Sequence, residues 1–186
     1  MSAPLDRLTE FLRSHPSVPV GGAAADDPTL SEARAVAAAD PRLAAFLAAL
    51  IEGDTSFCLF DVEFFPAILG RGRRGEGWNA SGEVVAVDEV CLAKNGAGDL
   101  YIWSAASGQV CLKIHDEEWK TQTTFGDLDE FVAGVMDDCL ERLTTDDLED
   151  PSEEYLSMLG FALEVGDVES ISDEDVLERF EELGIG

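Results

Sequence analysis

The spacing of apolar residues changes character between residues 83 and 143. Val84-Val85-Ala86-Val87, continuing through Val90-Cys91-Leu92, is a first run with strand character. Asn95-Gly96-Ala97-Gly98 interrupts it with residues that tolerate positive φ. Asp99-Leu100-Tyr101-Ile102-Trp103 is a second run, and Ser104 to Gly108 closes a hairpin. In the third run Val110, Leu112 and Ile114 alternate with Cys111 and Lys113, the period of a half-buried strand. His115-Asp116-Glu117-Glu118 then leaves the sheet. From Leu128 onward the period is helical: Leu128, Phe131, Val132, Val135, Cys139, Leu140 and Leu143 form one stripe. Asp127 caps this helix, with Glu130 three residues on as its capping-box partner. The other face carries Asp129, Glu130, Asp137, Asp138 and Glu141. Residues 99–103 and 109–114 are therefore expected to pair as an antiparallel hairpin. Residues 127–143 are expected to form a helix that buries Phe131, Val135 and Leu140.

The remaining segments read less sharply. Pro4 to Arg13 predicts a short helix with Leu5, Leu8, Phe11 and Leu12 on one face, ended by Pro16 and Pro19. Gly21 to Pro28 is a small-residue linker, and Ser31 to Ala39 is alanine-rich and helix-prone. Asp40 is an N-cap with Pro41 at the first helical position. Leu43, Phe46, Leu47, Leu50 and Ile51 are the stripe of the helix that follows, and Gly53 its stop. Phe57 to Val62 reads as a buried strand, and Phe64, Phe65, Ile68 and Leu69 as a turn of helix. Arg71 to Gly82 is too rich in glycine to be anything but a loop. Beyond Thr144, Asp150-Pro151-Ser152-Glu153 and Ser172-Asp173-Glu174-Asp175 each restart a helix. The whole predicts an α+β fold: a mostly antiparallel sheet with helices packed on one side. It divides at 1–145, with 146–186 an acidic helical C-terminal extension that either packs on the body or forms a separate arm.

Composition adds charge to this picture. The chain has 186 residues, suited to one domain with a tail, and is 46% hydrophobic, enough for a real core. The formal net charge is −27. That argues against direct contact with nucleic acid or an anionic membrane, both of which need a cationic face. It suits a basic protein partner, and it equally suits a chain that is acidic only for solubility. The acid is concentrated after residue 120, where only Arg142 and Arg179 are basic, whereas residues 71–74 read Arg-Gly-Arg-Arg. No apolar stretch is long enough for a bilayer. The first residues lack the basic and apolar regions of a signal peptide. Cys58, Cys91, Cys111 and Cys139 all lie in apolar runs without a CxxC pair, as free thiols of a reducing compartment do. A cytoplasmic location is expected.

Candidate chemistry is sparse. His115 beside Asp116 is the one histidine with a neighbouring carboxylate, and no nucleophile or metal set accompanies it. A structural role is expected, the imidazole bonding to loop groups and Asp116 satisfying turn amides. His15 precedes a proline near the N-terminus. Two histidines and four dispersed cysteines make no zinc spacing, and the acidic tail lacks the EF-hand order. Phosphate-loop, nucleophile-elbow and dinucleotide signatures are missing. No catalytic residue, cofactor or metal is expected. Tyr101 and Trp103 share one face of a strand, as core or as an exposed binding anchor, and Trp78 and Trp119 pose the same choice.

The order Gly96-Ala97-Gly98-Asp99-Leu100-Tyr101, Gly108-Gln109-Val110, His115-Asp116, then Phe125, Leu128 and Phe131, resembles the SUKH superfamily of Smi/Knr-type bacterial immunity and adaptor proteins. The helix at 40–52 extends the resemblance weakly. The first half departs from the family pattern, Asp40 to Leu47 being the nearest counterpart of its opening motif. The resemblance singles out Gly96, Gly98, Asp99, Tyr101, Gly108, His115 and Asp116. It implies a cytoplasmic, non-enzymatic protein that binds another protein. In the immunity case that partner is a toxin domain, often a nuclease and therefore basic. The expected contact surface is the acidic helix face, Asp129, Glu130, Asp137, Asp138 and Glu141. An acidic regulatory or scaffold subunit docking through its C-terminal helices is the other reading.

Overall fold

The structure is a computed structural model that describes residues 3–14, 28–52, 57–59, 62–64 and 85–143, with side chains over 3–13, 31–50, Val62, Phe64 and 85–137. The fold is α+β, as the change of period predicts. Two compact units divide the chain, Met1–Phe131 and Val132–Gly186. The proposed extension 146–186 lies outside the described residues.

Among the described residues, three helices come first. In α1, Pro4–Ser14, the buried residues Leu5, Leu8 and Leu12 repeat at helical spacing. Thr9 is buried among them, its hydroxyl donating to the Leu5 carbonyl at 2.8 Å, so no polar atom there is stranded. Helix α2, Pro28–Ala37, starts three residues before the alanine-rich stretch, since proline is tolerated in a first helical turn. A tight turn through Ala38 and Ala39 leads into α3, Pro41–Glu52. The Asp40 carboxylate caps α3, accepting from the amides of Arg42 at 2.8 Å and Leu43 at 3.2 Å. Leu43, Phe46, Leu47 and Leu50 are buried along its stripe. Gly53, the expected stop, lies outside the described residues.

Among the described residues the sheet is a six-stranded antiparallel meander in chain order: β1 Phe57–Leu59, β2 Val62–Phe64, β3 Glu89–Lys94, β4 Leu100–Ser104, β5 Val110–Ile114 and β6 Lys120–Thr124. The single strand expected over 57–62 is instead two, because the chain reverses inside it and pairs Leu59 with Val62. Phe64 accordingly belongs to β2 and not to a helical turn; Phe65, Ile68, Leu69 and the 71–82 loop lie outside the described residues. The first strand run also starts later than its valines suggest. Glu89 folds back on a turn, its amide donating to the Ala86 carbonyl and its carboxylate accepting from the Ala86 amide, which leaves Val87 exposed. The hairpin of β4 and β5 forms as expected, pairing Tyr101 with Leu112 and Trp103 with Val110. Gly98 at φ 100° and Gly108 at φ 73° take the left-handed conformations their two turns require.

Strand β6 was not anticipated. Lys120-Thr121-Gln122-Thr123-Thr124 has no apolar residue, and every one of its side chains is exposed. It owes its strand conformation to pairing with β5, where Gln122 is the extra residue of a bulge between the Leu112–Thr123 and Lys113–Thr121 pairs. Helix α4, Leu128–Leu143, follows. Asp127 caps it as predicted, accepting from the amides of Asp129 at 2.9 Å and Glu130 at 3.1 Å. Phe131, Val132, Val135 and Met136 are buried, while Leu140 lies outside the residues described at side-chain level.

Alternation along β4 gives the sheet two apolar faces. On one, Phe64 meets Phe46 of α3 edge-on at 5.8 Å, and Phe131 at 6.3 Å. Phe131 in turn meets Tyr101 at 5.3 Å and Phe125 at 5.5 Å. Helix α1 packs on α3, and α2 on α3 and β3. Tyr101 and Trp103 are thus core residues, not exposed anchors. The other face buries Val85, Cys91, Leu100 and Ile102, with Cys111 and Trp119 packed against them. Cys91 and Cys111 pair with opposite edges of Ile102, so two strand spacings, about 9.5 Å, separate them. That exceeds the span of a disulfide. Burial pushes the Cys91 thiol up to about 12 and raises Cys111 as well, so both remain protonated thiols. Cys58 and Cys139 lie outside the residues described at side-chain level.

Candidate functional site

Two polar networks stand out, each centred on one carboxylate. The first closes the open end of the β4–β5 hairpin. The register that pairs Leu100 with Lys113 brings Asp99, just before β4, to the point where β5 ends at Ile114. The Asp99 side chain is only 9% exposed. Its Oδ1 accepts from the His115 amide at 3.0 Å and faces the ring Nδ1 at 2.7 Å. Its Oδ2 accepts from Asn95 Nδ2 at 3.0 Å, while Asn95 Oδ1 accepts from the Asp99 amide at 2.9 Å. On the outer side His115 Nε2 lies 2.9 Å from Asp116 Oδ1.

Burial works to raise the Asp99 carboxyl, but the donated bonds from the His115 amide, the His115 ring and Asn95 outweigh it and hold it below the usual carboxylate range. The same contact raises His115 above its ordinary value; burial opposes it, and the Asp116 and Asp99 charges add to it. Both ring nitrogens face carboxylates, so the imidazole is a brace between two turns.

Of the residues singled out by the family resemblance, Asp99, His115 and Asp116 therefore meet, and Gly98 shapes the turn that delivers Asp99, its amide donating to the Asn95 carbonyl at 2.9 Å. Gly96 is exposed in the same turn, Gly108 lies at the opposite end of the hairpin, and Tyr101 is in the core. Asn95 was missed. Its signal was available: an Asn and an Asp four residues apart around a two-glycine turn are spaced to bond each other's side chains and amides.

The second network gathers the starts of three helices. Asp129, in the first turn of α4, accepts a two-pronged bond from Arg42 of α3, Nη2 to Oδ1 at 2.5 Å and Nη1 to Oδ2 at 2.7 Å. Its Oδ1 also accepts from the Leu5 amide of α1 at 3.0 Å. Arg42 Nε donates to Asp6 at 3.0 Å. The Arg42 bond holds Asp129 below the usual carboxylate range, and Asp129 holds Arg42 above the usual guanidinium value. Asp129 thus spends its charge inside the fold. Of the other residues on the acidic helix face, Glu130 is exposed and Asp137 half-buried; Asp138 and Glu141 lie outside the residues described at side-chain level.

Among the described residues no group of three histidines, cysteines or carboxylates is placed to hold a metal, and no helix is long and apolar enough to cross a membrane. No family model matches the chain, and no curated protein or solved structure matches it.

Proposed function

We propose that this protein acts by binding another protein, as an immunity protein that neutralises a basic, nuclease-type toxin domain in the cytoplasm. The observation that carries the reading is the charge: −27 overall, with the acid concentrated after residue 120. A field of that sign attracts and orients a basic surface, and it can cover an active site built to handle nucleic acid. The order of glycines, Asp99, His115 and Asp116 supports the same reading through its resemblance to SUKH proteins. The contact surface runs along α4 through Glu130, Asp137, Asp138 and Glu141. Asp129 contributes less than its position suggests, because Arg42 neutralises it.

The test is the association rate with a candidate basic partner, first of all the product of the adjacent gene, across a salt series. The parent is compared with a variant carrying Asp137→Asn, Asp138→Asn and Glu141→Gln. Screening confines the field to about 8 Å near physiological salt. The parent's on-rate should fall steeply with salt, and the variant should start lower and fall less. Equal on-rates in both proteins at every salt concentration would leave this face with solubility alone.

A further inference from the structure

The turn between β5 and β6 is under opposing forces. After the 3-10 turn His115–Glu117, Glu118 and Trp119 stand consecutively at φ 56° and 61°, a region that side chains other than glycine rarely occupy. The Trp119 ring packs against the Cys91, Leu100 and Ile102 cluster, yet its indole Nε1 is buried with no hydrogen-bond partner. Backbone strain and a stranded N–H both favour opening. What holds the turn shut is the Trp119 amide bond to the Ile114 carbonyl at 2.9 Å, the packing of Trp119, and the bonds of His115 to Asp99 and Asp116. The His115 and Trp119 rings lie 6.2 Å apart.

We propose that His115 is a proton-operated latch on the 115–119 turn, closed when both ring nitrogens carry protons and released when Nε2 loses its proton. In the imidazolium, Nδ1–H donates to Asp99 and Nε2–H to Asp116. On deprotonation the remaining proton stays on Nδ1, which donates it to the buried Asp99 carboxylate. Nε2 is left with a lone pair facing Asp116 Oδ1, two acceptors in contact. The brace to Asp116, whose side chain is 83% exposed, then lets go. The charged groups facing the ring are Asp99 from the preceding turn and Asp116 from its own; Asn95 is neutral, and Lys113 is directed to Glu89 at 2.8 Å. Both facing charges are negative, so the change falls above the ordinary histidine value of 6.5, with the latch closed on the acid side. Opening gives the Trp119 indole N–H access to water and loosens β6 at its first residue.

Amide hydrogen exchange between pH 6 and 9, corrected for the intrinsic pH dependence of exchange, reads this directly. The Trp119 amide reports the turn, and the Ile102 amide, in the middle of β4, reports opening of the whole sheet. Trp119 protection relative to Ile102 should fall about tenfold across the His115 titration, the cost of one charge-assisted bond. His115→Gln keeps a donor for Asp99 but does not titrate, so its ratio should be flat. Asp116→Asn, at an exposed site, should move the midpoint to lower pH. A ratio flat with pH in the parent overturns the latch, as does a ratio that changes equally in parent and His115→Gln. Parallel losses at Trp119 and Ile102 overturn it too, since the opening would then be global.

Discussion

Asp129 and Asp99 are built alike and fasten different things. Each is a partly buried carboxylate that accepts one backbone amide and a charged side chain from another segment. Asp129 reaches across 124 residues to the Leu5 amide and 87 to Arg42, tying three helix starts together. Asp99 reaches 16 residues to His115, tying the ends of one hairpin. The partners differ in a way that matters more than the distances. A guanidinium stays charged at every pH a protein survives, whereas an imidazole changes state near neutrality. Near neutrality the long-range fastening therefore keeps its charge, whereas the local one is charge-assisted only while the imidazole is protonated.

The largest expected effect tests whether polar fastening or apolar packing positions the first turn of α4. Phe131 lies two residues beyond Asp129 and contacts Phe64, Tyr101 and Phe125. It is fully buried. Phe131→Ala should cost about 3–5 kcal/mol in urea unfolding. A cost below about 1 kcal/mol would mean that the aromatic cluster is slack and that the Asp129 network alone seats the first turn of the helix.

Next comes the ranking of the two carboxylates. Asp99→Ala strands the His115 amide and the Asn95 amide in a site where the carboxylate was 9% exposed, and should cost about 2–3 kcal/mol. Asp129→Ala should cost less, about 1–2 kcal/mol, because Arg42 is 37% exposed, keeps Asp6, and turns its freed donors to water. The reverse order would mean that the length of chain closed outweighs desolvation at these sites.

Sequence made one of these networks half visible and hid the other. His115, Asp116 and Asp99 were each conspicuous, because turn chemistry is local and glycines mark where strands end. Their convergence follows once the hairpin register is set by Tyr101, Trp103 and Val110. Caps were legible for the same reason: Asp40 and Asp127 act on amides two and three residues away. The Arg42–Asp129 pair was not legible, since each residue reads alone as a solvated charge and only the packing of α3 beside α4's first turn joins them. Strand β6 was invisible because its order comes from a neighbour and not from its own apolar pattern. The reversal between Leu59 and Val62 was hidden by the opposite cause: Phe57 to Val62 is apolar enough to read as one strand.

The smallest effect separates the two fastenings most cleanly. Asp99→Asn and Asp129→Asn each replace the carboxylate with a group of the same shape, and the stability gap to the parent can be followed with pH. Both carboxyls sit below their ordinary value of 3.8 in the folded protein. Their contributions are therefore full above that value and are lost as pH falls through the lower folded values. Both gaps should close in acid. On the alkaline side the two should part. His115 is raised when folded, so what its charge adds is present below 6.5 and is lost as pH rises through the folded value. The Asp99→Asn gap should then narrow as pH rises above 6.5 and through the raised folded value, leaving its maximum on the acid side of 6.5 and above 3.8. The Asp129→Asn gap should hold level over the same range, because Arg42 does not titrate there. A level gap in both variants would mean that the His115 amide and Asn95, and not the imidazolium, supply what Asp99 contributes; the hairpin fastening would then be as permanent as the one between the helices.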